Sequence, residues 1–160
     1  MSASLVGSEM CIRDSYAGSI FIQPGTSFDD RHLVIYGHNM RVKSMFGSLH
    51  DFESEDFYKK HNKIYLYQPG KTIKCTIYSV YDCLDKSATY NTDFSDDGND
   101  NKWVDWLTMT VNNNAYYPIK KKPAEKDHII TLSTCSGKQK GDSYRFVVHS
   151  LVTDTVIYEE

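Results

Sequence analysis

Short apolar runs closed by Pro-Gly turns alternate along the chain with a few stretches of helical period. GSIFIQPG (18–25) reads as a short strand ended by such a turn, and HLVIYGHN (32–39) as a mostly apolar, buried strand that opens into a loop after Gly37. MFGSLHDF sets Met45, Phe46, Leu49 and Phe52 on one helical face. Ser54 then stands where it caps a second short helix, SEDFYKKH, whose acids come early and lysines late, as the helix dipole prefers. KIYLYQPG (63–70) repeats the strand and its Pro-Gly turn. KTIKCTIYSVYDC (71–83) alternates, with Ile73, Cys75 and Ile77 on one face and Lys74, Thr76 and Tyr78 on the other.

A long polar insertion begins near residue 85. It carries DFSDDGND and then NKWVDWLTMTVNN, where Trp103, Trp106, Leu107 and Thr110 form a helical stripe suited to packing on a sheet. HIITLSTC (128–135) and YRFVVHSLV (144–152) are the last long strands, with TVIYEE as a short terminal one. No internal repeat is seen. Six or seven short strands with two helical excursions predict a mainly β domain, an antiparallel barrel or sandwich with helical insertions.

Composition agrees. Aromatic residues make up 13% of the 160, twelve of them tyrosines, beside many Ile, Val and Thr, a mixture that suits pleated, half-buried strands. The length fits one domain with a self-sufficient core. The formal charge is -3, and only Lys120, Lys121 and Lys122 cluster, in what reads as a solvated loop between Pro118 and Pro123. With no basic stripe to neutralise phosphates, nucleic acid is not an expected partner.

No apolar run approaches the roughly 18 residues needed to span a bilayer. MSASLVGSEMCIRDS lacks both periods and turn chemistry, and it resembles a translated adaptor-type sequence. Residues 1–15 are therefore expected to be a non-native or disordered segment, with a native N-terminal anchor lost, and residues 16–160 the folded domain.

Of the four cysteines, Cys11 lies in that segment. Cys75 and Cys83 are eight apart on one extended strand, which at about 3.3 Å per residue puts them far beyond disulfide reach. Without a CxxC pair, neither a zinc site nor a disulfide framework is indicated, and both read as small core hydrophobes.

Cys135 differs: it ends an apolar strand and precedes Ser136-Gly137, a turn signal. A thiol at a strand end can meet substrate, but most such cysteines are packed, and reactivity requires a partner that favours the thiolate. His38 closes its own strand in the same way. His32, His50, His61, His128 and His149 sit at element starts, on polar helix faces or mid-strand. Arg145 opens the strand after Cys135, where a tight antiparallel return brings a permanent cation near the thiol, able to hold a developing oxyanion. Asp93, Ser95, Asp97 and Gly98 match the first half of a calcium loop, but Val104 occupies the position of the bidentate Glu, so no metal site is expected.

Three stretches together resemble the sortase family: VIYGHNM around His38, TLSTC ending at Cys135, and YRFVV around Arg145. The order fits too, and the resemblance covers roughly residues 18 to 157. It implies a closed barrel of about eight strands in a catalytic domain at 16–160, with His38, Cys135 and Arg145 as the catalytic trio and no cofactor. TLSTC and the insertion carrying NKWVDWLTMTV resemble class B members. The proline after TC and the Asp-Pro-aromatic lid usual in class C do not appear. The start departs from the family, and Ser136 and Gly137 stand where some relatives carry an acidic residue.

The resemblance further implies a cysteine transpeptidase. Cys135 would attack the threonine carbonyl of an Asn-Pro-x-Thr sorting signal, His38 would protonate the leaving amine, and Arg145 would hold the oxyanion. Ser133, Thr134 and Asn39, beside the nucleophile and the base, are candidate substrate contacts, and alternation puts Ser133 on the face of Cys135. Expected partners are surface proteins bearing sorting signals and a cell-wall peptide or pilin amine, handled by a monomer on the extracellular face of a Gram-positive membrane. Two alternatives stay open. An L,D-transpeptidase would place His-Gly before its cysteine, where Ser133 and Thr134 stand here. A non-catalytic β-barrel surface binding module would leave Cys135 no more reactive than an ordinary buried thiol.

Overall fold

The computed structural model describes residues 2–4, 21–37, 46–94, 102–135 and 144–158. Among them seven strands form one curled sheet: β1 (Ser2–Ser4), β2 (Phe21–Ile22), β3 (His32–Tyr36), β4 (Lys63–Gln68), β5 (Lys71–Leu84), β6 (Ile129–Cys135) and β7 (Tyr144–Ile157). Their order is β1-β4-β5-β7-β6-β3-β2. The fold is mainly β, with helical insertions.

The central ladders β4–β5, β5–β7 and β6–β7 are antiparallel, which the short connections dictate for β4–β5 and β6–β7. Two pairings depart from the antiparallel expectation: β3 runs parallel to β6, and β1 runs parallel to β4. Hairpin reasoning does not reach these pairs, because their strands are separated by intervening elements rather than by a tight turn. The β4–β5 turn is Pro69-Gly70, where Gly70 takes φ +74° and its carbonyl accepts from Tyr158 N–H at 2.8 Å. Only glycine adopts that φ without strain. Ser2–Ser4 form an edge strand; residues 5–15 lie outside the described residues.

Strands β5 and β7 are fourteen residues each, and their ladder shifts register at Lys74/Cys75 and Ile77/Ser79. Such bulges bend and twist a strand, letting a long ladder curl around a core. The second shift also re-phases the expected alternation. Ile73, Cys75 and Ile77 face the main core, and Val80 rather than Ser79 continues that face. With them pack Leu33, Ile35, Leu132, Phe146 and Val148. The expected terminal strand in TVIYEE is the continuation of β7 to Ile157.

The other face of the sheet is buried too. Helix α2 (Lys102–Asn112) lays Trp103, Trp106, Leu107 and Thr110 against it, the four positions its stripe predicts. They meet Tyr78, Ile129 and Leu151. Trp103 Nε1 donates to Glu125 O at 2.8 Å and Trp106 Nε1 to Ala88 O at 3.0 Å, so neither indole loses a hydrogen bond on burial. Because α2 covers this face, β5 is buried without a break from Cys75 to Tyr81, where alternation alone would expose every second residue.

The remaining helices close one end of the core. Phe46–Glu53 forms a 3-10 helix whose Leu49 and Phe52, three apart and therefore eclipsed, are fully buried. Met45, expected on the same face, lies outside the described residues. Helix α1 (Glu55–Lys60) is capped by Ser54, which accepts from Phe57 N–H at 3.5 Å.

Candidate active site

The described candidates, Ser133, Thr134, Cys135 and Arg145, lie where β6 ends and β7 begins. Cys135 is the last residue of β6 and the direct ladder partner of Arg145 near the start of β7. Arg145 is in turn the partner of Cys83 on β5. On the other side of β6, β3 runs parallel with Tyr36 opposite Ser133, and Gly37 N–H donates to Ser133 O at 3.1 Å. Strand β3 is thus held against β6 up to Gly37, one residue before His38. His38 and Asn39 lie outside the described residues.

Arg145 is half-buried, and one of its guanidinium nitrogens, Nη1, donates to Tyr144 O at 3.1 Å. Its charge is felt at Tyr36. Burial raises the Tyr36 phenol above its ordinary pKa, the Arg145 guanidinium pulls it back down, and Cys83 pushes it up again. The Tyr36 hydroxyl donates to Gln23 Oε1 at 3.1 Å, and its ring stacks on Tyr90 with centroids 5.9 Å apart. Burial raises Tyr90 further. Both phenols therefore stay protonated near neutrality, while Arg145 carries a permanent charge.

Ser133 is fully buried, and its hydroxyl shares a 2.7 Å hydrogen bond with Tyr90. Thr134 is 2% exposed, and its Oγ1 has no hydrogen-bond partner among the described residues. Ser133 thus anchors Tyr90 against β6. Of the cysteines expected in the core, Cys75 is fully buried and its thiol is pushed up to about 12 by burial, with Ser150 pulling slightly the other way. Cys83 is only half-buried and points its Sγ at the Tyr90 hydroxyl, 3.9 Å away. Of the set-aside calcium loop, Asp93 is described; Ser95, Asp97 and Gly98 lie outside the described residues.

Tyr36 and Tyr90 were missing from the residues expected here. Tyr36 carries a usable signal, since it ends the apolar run two residues before His38 in the sequence. Tyr90 comes from a short 3-10 turn, Ala88–Tyr90, inside the polar insertion, and no periodicity points from there to β6.

The family model for the sortase domain matches residues 13–152. Sortase B of Listeria monocytogenes is 33% identical over 141 residues, covering 86% of this chain and 55% of that protein. The chain spans about half the length of the curated relatives it matches. Among solved structures, sortase B of Clostridium perfringens superposes with a TM-score of 0.76 at 30% identity, covering 88% of this chain and 75% of that one. Staphylococcus aureus sortase B does so with a TM-score of 0.79 at 25% identity, covering 94% and 74%.

Proposed function

Because the chain belongs to the sortase family and groups with its class B members, we propose that it is the catalytic domain of a cysteine transpeptidase that cleaves an Asn-Pro-x-Thr sorting signal after threonine. The observation that carries this reading is the ladder pair Cys135–Arg145, with β3 delivering the residue before His38 alongside the same strand. Directly opposed residues on neighbouring antiparallel strands share a face, which suits a guanidinium to a reaction at the cysteine.

In the proposed reaction the Cys135 thiolate attacks the threonine carbonyl carbon, and the carbonyl electrons move to oxygen. Arg145 stabilises that oxyanion. As the tetrahedral intermediate collapses, the peptide C–N bond breaks and His38, as imidazolium, gives its proton to the departing amine. The thioester on Cys135 is then attacked by an amine of a cell-wall peptide or a pilin lysine. That amine's proton returns to His38 and the thiolate is regenerated. Asn39 and Thr134 are proposed substrate contacts, and Ser133 acts through its hydrogen bond to Tyr90. The resemblance to a Staphylococcus aureus sortase B–substrate complex and to a sortase B complexed with triglycine supports a peptide donor and an amine acceptor. Such an enzyme works as a monomer on the outer face of a Gram-positive membrane.

A panel of sorting peptides varied at each position of Asn-Pro-x-Thr tests the substrate. Cleavage between threonine and the next residue, abolished in Cys135→Ala, is expected. Cleavage that persists in that variant, or a panel left intact by active enzyme, contradicts the reading.

A further inference from the structure

Beneath α2 a continuous row of hydrogen bonds crosses four strands. His32 of β3 reaches Asn91 O through Nδ1 at 2.6 Å and Thr131 Oγ1 of β6 through Nε2 at 2.7 Å. The same Thr131 oxygen meets His149 Nδ1 of β7 at 2.6 Å. His149 Nε2 meets the Tyr81 hydroxyl of β5 at 2.8 Å, and that hydroxyl meets Thr89 Oγ1 at 2.9 Å. His32, Thr131 and His149 are all fully buried. The Trp106 ring covers both imidazoles, 4.1 Å from His32 and 5.7 Å from His149.

One group at the end of the row sets the direction of every bond. The Asn91 carbonyl can only accept, so His32 carries a proton on Nδ1. Burial lowers His32 to about 4, and burial together with the neighbouring His32 drives His149 well below the ordinary imidazole value, so each ring holds one proton near neutrality. His32 Nε2 must then accept from the Thr131 hydroxyl. The Thr131 oxygen accepts from His149 Nδ1–H, His149 Nε2 accepts from the Tyr81 hydroxyl, and the Tyr81 oxygen accepts from Thr89. Each donor has one acceptor, and none is left over.

Among the described residues the surroundings supply no counter-charge to the rings. From β5 they face Tyr78 and Tyr81, both phenols raised by burial, and from β3 and β7 they face each other. Strand β6 presents Thr131, the Ala88–Tyr90 turn Thr89, and the following segment the Asn91 carbonyl and the Phe94 ring. Helix α2 presents Trp106; its charged Lys102 and Asp105, with Asp93, line the groove outside that indole.

We propose that His32, Thr131 and His149 are positioning residues for the sortase reaction, a one-directional row that holds β3, β6 and β7 in the register that pairs Cys135 with Arg145 and keeps Tyr36 and Gly37 beside Ser133. Thr131 lies four residues before Cys135 on β6, and His149 four after Arg145 on β7; the two are direct ladder partners. His32 opens the strand that leads to His38. The catalytic part of this inference rests on the function proposed above; the proton arrangement does not.

A second proton on either ring turns its Nε2 from acceptor to donor and sets it against the Thr131 or Tyr81 hydroxyl. Both folded-state pKa values lie below the unfolded one. The stability the row supplies is therefore complete above about pH 6.5 and is lost as pH falls towards the folded values, about 4 for His32 and well below the ordinary imidazole value for His149. Within that window each histidine takes up a proton on unfolding and lowers the folding constant about tenfold per pH unit.

Three measurements test this. In the wild-type protein, imidazole nitrogen NMR is expected to find two histidines locked as neutral Nδ1–H tautomers from pH 8 to pH 5; six histidines all titrating near the ordinary value would overturn the proposal. Trp103 and Trp106 are the chain's two tryptophans and both lie in the cover, so their fluorescence reports the row. Replacing His149 by Gln is expected to remove one proton from the pH dependence of unfolding between pH 6.5 and 5, and an unchanged dependence counts against the idea. Thr131→Ser keeps the relay and Thr131→Val keeps the shape. Sorting-peptide kcat is expected to survive in the serine variant and to fall on the order of tenfold in the valine variant, with KM little changed. The reverse ranking would mean packing alone. If no variant folds, the wild-type NMR decides; if the wild type cleaves no sorting peptide, the function fails while the NMR and fluorescence still judge the row.

Discussion

Arg145 stands directly opposite Cys135 in the β6–β7 ladder, so the candidate oxyanion holder and the candidate nucleophile are neighbours by strand pairing rather than by loop conformation. A pair fixed in this way is preorganised, and oxyanion stabilisation depends on donors already in place when charge develops.

Arg145→Ala is expected to lower kcat for sorting-peptide cleavage by about 10²–10³, the usual loss when one oxyanion donor is removed. Arg145→Lys keeps the charge but not the planar fork, and should recover only part of that rate. Steady-state kinetics at one pH separates the two. Equal activity in all three proteins would remove Arg145 from the reaction.

Cys75 should be silent towards thiol reagents. With its thiol pushed up to about 12, only about one molecule in ten thousand carries the thiolate at pH 8, and the side chain is sealed in the core. Raising the pH increases that fraction about tenfold per unit until the pKa is passed. Peptide mapping after brief alkylation of native protein should find Cys135 labelled and Cys75 unlabelled, with Cys75 appearing after denaturation.

Tyr90 and Ser133 should behave as one unit. Tyr90→Phe leaves the buried Ser133 hydroxyl short of its partner and should cost about 1–3 kcal/mol; Ser133→Ala should cost a similar amount. The double variant should be less destabilised than the sum of the two, by urea unfolding. Additive losses would mean the hydrogen bond contributes nothing.

Trp106→Ala should destabilise the fold by about 3–5 kcal/mol, because it empties the cover over His32 and removes the donor to Ala88 O. Trp106→Phe should cost less. Thermal unfolding checks the ranking.

How much of this was legible beforehand varies by residue. The α2 stripe was readable because Trp103, Trp106, Leu107 and Thr110 repeat at helical spacing and no other period fits them. The Pro-Gly turns and the 71–83 alternation set β4 and β5 almost to the residue. The phase change after Ile77 was hidden, since a bulge is made by the partner strand as much as by the strand itself. The parallel β3–β6 pairing was hidden for a related reason: nothing local in His32–Tyr36 names a partner near residue 130. It is that pairing, more than any motif, that sets Tyr36 beside Ser133. His149 looked like a mid-strand polar residue, and only the assembled sheet gives it Thr131 on one side and Tyr81 on the other.

In the proposed reaction the Cys135 sulfur takes the acyl group. Intact-protein mass spectrometry of the enzyme quenched during turnover of an Asn-Pro-x-Thr peptide, followed by digestion, locates the adduct. A thioester on Cys135 that disappears when an acceptor amine is added is the predicted result. An adduct on Cys83, or turnover with Cys135 unmodified throughout, would contradict it.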